Sequence, residues 1–268
     1  MKKGQGSFEY VLMIAGVVLL VTVAALIVGE QAAKSGDALE RNIEHQQTEL
    51  CYAPEAAERG QTLVASWRFD EGAGTVAKDS SGNENHGTLN GNPQWTDGKL
   101  GKAIEFDGVG DYVEVPSSTS LDIDGKSFTI SMWVKPNDFA NKVLLGKCDT
   151  YALRSCFHVV ILDSTWLRLG FYMDDLDVIH ESSIGEWTHY AFRYDTDINE
   201  QTIFVNGVFK GSEPTGGDLD GTDNRVLKIG KLADQTTSVF NGVIDEVRFY
   251  SKALSQEEIL AEINCKLR

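Results

Sequence analysis

The chain has 268 residues, with 40 Asp and Glu against 24 Lys and Arg, for a formal net charge of −16. That balance excludes a nucleic-acid surface, because phosphate binding relies on clustered Lys and Arg that release counterions. The scattered acids read instead as solubility or as oxygen ligands for a hard cation.

The composition splits along the chain. From Tyr10 to Val28 no residue is charged and nearly every side chain is apolar, and no run of comparable length follows Glu30. Ahead of it stand Met1-Lys2-Lys3-Gly4 and then Gln5-Gly6-Ser7-Phe8-Glu9. An ordinary secretory signal discards an apolar stretch of about 7–15 residues that precedes its cleavage site. Here the run is longer and a carboxylate sits at its entrance. As a helix it would span about 28 Å, close to the hydrocarbon thickness of a bilayer. Lys2 and Lys3 hold the short side in the cytoplasm, which places the large C-terminal part outside.

The segment from Lys2 to Leu12 resembles the class III signal of archaeal type IV pilin-like proteins. The resemblance implies that a prepilin-type peptidase removes residues 1–4, cutting between Gly4 and Gln5. Residues 5–28 are then retained as a transmembrane helix that also drives self-assembly into a filament. A helix apolar on all sides exchanges lipid for neighbouring helices with little change in apolar contact, and Ala15, Gly16, Ala24 and Ala25 permit close approach. Glu9 is costly in that setting unless paired. The new α-amino group of Gln5, in the same or an adjacent subunit, is its expected partner.

Residues 29–60 read as a helical stalk and linker. Leu39, Ile43 and Leu50 fall on one helical face, Gly29 and Gly36 lower the propensity, and Pro54 ends the helix. Residues 61–268 form the head, where short β-prone runs alternate with Gly, Asn, Asp and Ser clusters. The runs are 63–69, 103–106, 112–115, 128–134, 158–162, 167–172, 187–194, 201–205, 226–229 and 243–250, a spacing that predicts an all-β sandwich. Asn206-Gly207 between Ile203-Phe204-Val205 and Val208-Phe209 predicts a two-residue hairpin. Ser255 with Glu258 predicts a capping box that opens a short closing helix.

Cys51, Cys148, Cys156 and Cys265 show no C-x-x-C pair and no zinc spacing, so they read as disulfides formed outside the cytoplasm. Of three connectivities, Cys148–Cys156 and Cys51–Cys265 are favoured. The first pair is close in sequence, and the second brackets the head.

Several blocks occur in the order seen in a laminin-G-like, concanavalin A-like jelly roll, which the head resembles. They include Trp67-Arg68-Phe69-Asp70-Glu71-Gly72, Gly98-Lys99-Leu100-Gly101, Phe128 to Pro136, Gly185-Glu186-Trp187-Thr188-His189 and Ile244-Asp245-Glu246-Val247-Arg248-Phe249-Tyr250. The implied fold class is an all-β LamG-like sandwich preceded by a long hydrophobic α-helix. The resemblance also implies a structural calcium, for which Asp70, Asp79, Asp107 and Asp245 are the candidates. Trp67, Trp133 and Trp187 match core positions of the family and are expected to be buried.

Catalysis has weak support in the residues. A retaining glycosidase needs two carboxyl groups about 5–5.5 Å apart. Asp175 and Asp177 would share one face of a strand, yet 173–178 lacks the flanking Glu of the hydrolase families and reads as a solvated acidic loop. His86, His158, His180 and His189 are scattered, and His189 reads as packing. Exposed aromatics suit carbohydrate better. Tyr151, Trp166 and Tyr172 lie in or near 141–177, the stretch that departs most from the family pattern. The expected function is therefore non-enzymatic: a pilin-like surface subunit whose head binds a carbohydrate or another cell-surface ligand. The alternatives are a membrane-anchored lectin that does not polymerise and a tethered glycoside hydrolase.

Overall fold

Alternation of apolar and polar residues sets the faces of the strands. In Tyr112–Val115 the two valines are buried while Tyr112 and Glu114 are only half-buried, the period of a strand with one face against a core. The computed structural model describes residues 62–148, 156–171, 174–217, 225–232 and 237–264. The leader, segments 5–28 and 29–60, and with them Gly4, Gln5, Glu9 and Cys51, lie outside the described residues, as do Tyr151, Tyr172 and Cys265.

Sixteen strands form among the described residues. They are β1 (Leu63–Trp67), β2 (Val76–Ala77), β3 (Gly87–Asn90), β4 (Gln94–Asp97), β5 (Lys102–Asp107), β6 (Tyr112–Val115), β7 (Phe128–Pro136) and β8 (Lys142–Lys147) in the first half. β9 (Phe157–Ile161), β10 (Trp166–Gly170), β11 (Asp175–Ile179), β12 (Thr188–Asp195), β13 (Glu200–Val205), β14 (Val208–Pro214), β15 (Leu227–Ile229) and β16 (Asn241–Tyr250) follow, before the closing helix α1 (Gln256–Asn264).

Two antiparallel sheets result. One runs β14-β13-β12-β7-β16-β5-β4 with β1 also on β16, and the other runs β11-β10-β9-β8-β15-β6-β3-β2. The long strand β16 pairs with β7 along one side and with β5 and then β1 along the other. Between the sheets lies the main core, in which the Phe128 ring meets Phe157 at 5.3 Å and Tyr194 and Phe249 at 5.9 Å. This is the sandwich expected from the strand spacing.

Two smaller apolar clusters lie outside the main core. Ala191, Phe204, Tyr250, Leu254 and Ile259 pack α1 onto the first sheet, called here the helix-side sheet. Val143, Cys148, Cys156, Val160 and Leu232 pack on the second, the disulfide-side sheet. The Cys148–Cys156 bridge is present, with its Cα atoms 4.5 Å apart. The capping box is also present: Glu258 N–H donates to Ser255 Oγ at 3.2 Å, and Ser255 N–H donates to Glu258 Oε2 at 2.8 Å. Asn206 and Gly207 both take positive φ in the β13–β14 hairpin.

Each strand run read from the sequence corresponds to a strand, but β2, β3, β4, β8, β11 and β14 were not among them, β14 entering only as the second arm of the hairpin. The acidic stretch is corrected: Asp175–Ile179 is a strand paired with β10, with Leu176 and Val178 buried. Two alternating apolar side chains outweigh the charges flanking them. Among the described residues no helix is long and apolar enough to cross a membrane.

Candidate functional site

The outer side of the disulfide-side sheet brings together Trp166, Asp175, Asp177 and His158 of the residues singled out from the sequence. Leu167 and Leu169 of β10 point into the core, so Trp166, Arg168 and Gly170 face outward. On β11 their partners are Ile179, Asp177 and Asp175. Trp166 is 42% exposed and Ile179 50%, so the two form an apolar step open to solvent.

Beside that step Arg168 holds both carboxylates. Its Nε and Nη2 donate to Asp177 Oδ1 and Oδ2 at 2.7 and 2.8 Å, and its Nη1 stands 2.9 Å from Asp175 Oδ2. Hydrogen bonding to Asp177 and the adjacent charge of Asp175 push the guanidinium pKa above its ordinary value. Asp175 and Asp177 do share one face, as alternation predicts. A retaining hydrolase, however, needs one protonated acid and one free nucleophile, and here one cation binds both carboxylates in a planar fork. Arg168 was missed from the sequence, where nothing in Trp-Leu-Arg-Leu announces its partners across a strand.

Behind the fork, His158 on β9 lies next to Gly170 and is 8% exposed. A Cβ on Gly170 would fall 2.3 Å from His158 Nε2, so the missing side chain gives the imidazole its place. Burial lowers the His158 pKa, opposed by the nearby Asp175 carboxylate. Its Nδ1 stands 3.9 Å from Cys156 Sγ, which joins the disulfide cluster to the fork. Leu232 covers Gly146 in the middle of this face.

The four aspartates proposed for calcium are not brought together. Asp79 Oδ1 accepts the N–H groups of Ser66 and Ser81, and its Oδ2 accepts Ser81 Oγ–H and Asn85 N–H. Asp107 Oδ1 accepts Val109 N–H within its own turn. Asp70 Oδ1 accepts Lys102 N–H, and Asp245 accepts Leu100 N–H through Oδ2 and Glu246 N–H through Oδ1. Among the described residues no three His, Cys, Asp or Glu converge as metal ligands. Calcium takes six to eight oxygens, and each of these carboxylates has at least one oxygen turned toward an N–H donor.

Three of the sequence blocks converge for a different reason. Asp70 and Asp245 pin the Gly98–Gly101 turn, where a Cβ on Gly98 would fall 2.6 Å from Asp245 Oδ2 and one on Gly101 2.1 Å from Asp70 Oδ1. The turn brings Lys99 Nζ to 4.3 Å from the Trp133 ring centroid. Trp67 is fully buried, as expected, and donates Nε1–H to Asn85 O at 2.7 Å. Trp133 and Trp187 are only half-buried, which corrects their placement in the core. Trp133 turns to the outer side, where its partners are Lys99 and the buried His189.

The Laminin_G_3 family profile, described as the concanavalin A-like lectin/glucanases superfamily, matches residues 107–260. The chain belongs to the concanavalin A-like lectin/glucanases superfamily. A class III signal peptide profile matches residues 2–28, and the two matches together support a type IV pilin-like protein with a LamG-like domain. The two matches make it a secreted or surface-exposed protein. No curated protein matches the sequence.

Among solved structures, domain 4 of AbnA, an extracellular arabinanase from Geobacillus stearothermophilus solved in complex with arabinotriose, is similar at 25% identity and a TM-score of 0.61. The match covers 76% of this chain and 98% of that domain. The binding domain of Paraclostridial Mosquitocidal Protein 1 is similar at 19% identity and a TM-score of 0.61, over 76% of this chain and 52% of that one. The binding domain of botulinum neurotoxin DC, solved in complex with rat synaptotagmin II, is similar at 15% identity and a TM-score of 0.59, over 78% and 53%. The chain therefore spans about half the length of the toxin binding domains, and those two likenesses concern the fold.

Proposed function

We propose that this chain is a pilin-like surface subunit that joins a filament through residues 5–28 and displays its LamG-like head for recognition of a carbohydrate. The observation that carries the reading is the class III signal over residues 2–28 followed by a β-sandwich of the lectin superfamily. A prepilin-type peptidase acts on Gly4-Gln5, and the membrane holds the retained helix before assembly. The ligand meets the outer side of the disulfide-side sheet at the Trp166–Ile179 step, with Arg168 and Asp177 beside it to bond hydroxyl groups. The similarity to an arabinanase domain solved with arabinotriose supports a saccharide as the ligand.

The head binds without turnover in this reading. The Arg168 fork supports that, because it pairs both oxygens of Asp177 and one of Asp175 with a single cation.

The test joins two measurements. Mass determination of the mature chain gives a start at Gln5, and electron microscopy of purified surface fractions finds filaments that contain it. A mature chain that begins after Val28 refutes the pilin route. A chain that starts at Gln5 but is never found in filaments leaves a membrane-anchored lectin. Turnover of any polysaccharide in a broad panel, abolished by Asp175→Asn or Asp177→Asn, would make the head a tethered glycoside hydrolase.

A further inference from the structure

The flank of the disulfide-side sheet away from Trp166 carries a second arrangement. Val113 and Val115 of β6 and Leu227 and Ile229 of β15 point into the core, which leaves Tyr112, Glu114 and Lys228 on the outer side. Lys228 Nζ stands 5.2 Å from the Tyr112 ring centroid, and Lys231 Nζ stands 4.8 Å from the same centroid. Two ammonium groups therefore share one ring, in a chain whose acids outnumber its bases 40 to 24. The ring's negative face attracts each of them, while each repels the other. Lys228 has a carboxylate beside it, Glu114 Oε2 at 3.7 Å. Among the described residues Lys231 has no ion pair.

Neutral hydrogen-bonding groups border these cations. Across the β3–β6 pairing Asn90 stands opposite Tyr112, and Thr88 stands opposite Glu114. Asn90 Nδ2 donates to Thr88 O at 2.9 Å, which leaves its carboxamide oxygen turned to other partners. A bare anion would engage the ammonium groups alone. An amide and a hydroxyl at their side match a ligand whose charge is carried on a hydroxyl-bearing ring.

The geometry points to a binding site for acidic sugar units, with the carboxylate of a uronate between Lys228 and Lys231 and its ring hydroxyls on Asn90 and Thr88. That the ligand is a glycan rests on the recognition role proposed above, whereas the preference for charge rests on the lysines. The chain as a whole, at −16, repels a polyanion. Binding is therefore local to this flank, and added salt weakens it.

The mature full-length chain in detergent micelles is titrated calorimetrically with trigalacturonate, with its carboxyl-reduced counterpart and with inorganic phosphate. Trigalacturonate binds, and Lys231→Gln, a change at a half-buried surface lysine, weakens it about tenfold, as loss of one charge-assisted contact would. The reduced trisaccharide binds the unaltered chain no better than trigalacturonate binds the variant. Equal affinity for the acidic and reduced sugars, or no effect of Lys231→Gln, overturns the charge preference while leaving the recognition role standing. Phosphate that displaces trigalacturonate and binds as tightly makes this a site for small anions and overturns the sugar assignment. Failure of both saccharides to bind removes this site and leaves recognition at the Trp166–Ile179 step standing.

Discussion

Asp245 on β16 and His189 on β12 are both buried in the helix-side sheet, and burial moves their protonation in opposite directions. Burial raises Asp245 to about 7, against the N–H groups of Lys99, Leu100 and Glu246 that oppose the rise. Burial lowers His189 to about 4, with Glu262 opposing the shift and Arg248 adding to it. A raised carboxyl contributes stability that is present at low pH and is lost as pH rises from about 4 through 7. A depressed histidine contributes stability that is present above about 6.5 and is lost as pH falls through 4. Over that shared window the two slopes oppose each other, with Glu246, also raised by burial, on the Asp245 side. Urea denaturation between those limits should therefore give a shallow pH profile for the unaltered chain. His189→Gln should make stability fall with rising pH, by up to about 1.4 kcal/mol per pH unit, and Asp245→Asn should make it rise. Three superimposable profiles would show that neither group is held in this way. Asp245 was legible in the sequence only as part of a family block. Its role as an acceptor for the Gly98–Gly101 turn depends on a contact 145 residues apart in the chain, which no local pattern encodes.

Among elements, the hairpin at Asn206-Gly207 and the start of α1 were legible because each rests on residues a few positions apart whose backbone demands are specific. β11 was not, because its charges hid a two-residue alternation of Leu176 and Val178. The helix illustrates the difference between local and tertiary anchoring. Ser255→Ala removes one cap and should cost about 1 kcal/mol. Glu262 accepts Ser131 Oγ–H at 2.6 Å, Arg248 Nη1–H at 3.0 Å and Tyr250 O–H at 3.3 Å, all in buried surroundings. Glu262→Ala leaves Arg248 with Glu246 as its remaining carboxylate partner and should cost about 3–5 kcal/mol. Equal losses in urea denaturation would mean that the cap, and not the charged contacts, holds α1 to the sheet. The disulfide permits a comparable test on the other sheet. It closes a loop with a sequence separation of 8, and replacing both cysteines by serine should cost about 2–3 kcal/mol in the loop-entropy model. Because Cys148 and Cys156 also pack with Val143, Val160 and Leu232, serine should cost more than alanine at the same two positions.

At the scale of the whole molecule, two physical requirements sit on one chain. The head folds as a β-sandwich with its own core, whereas residues 10–28 carry no charge and are nearly all apolar. If residues 5–28 were retained as a helix that served only as an anchor, Glu9 could rest at the headgroup level and its charge would matter little. In a filament core it would be surrounded by apolar side chains and would need the α-amino group of Gln5 as its partner. The two roles separate on one substitution. Glu9→Gln keeps the side-chain shape and the apolar run, so the leader is still cleaved after Gly4 and the head still fractionates with membranes. In the assembling protein, the loss of that charge leaves the Gln5 ammonium unpaired, and filament yield by electron microscopy should fall at least about tenfold, the effect of an energy gap near 1.4 kcal/mol. Undiminished filaments from Glu9→Gln would show that the carboxylate is not an assembly contact.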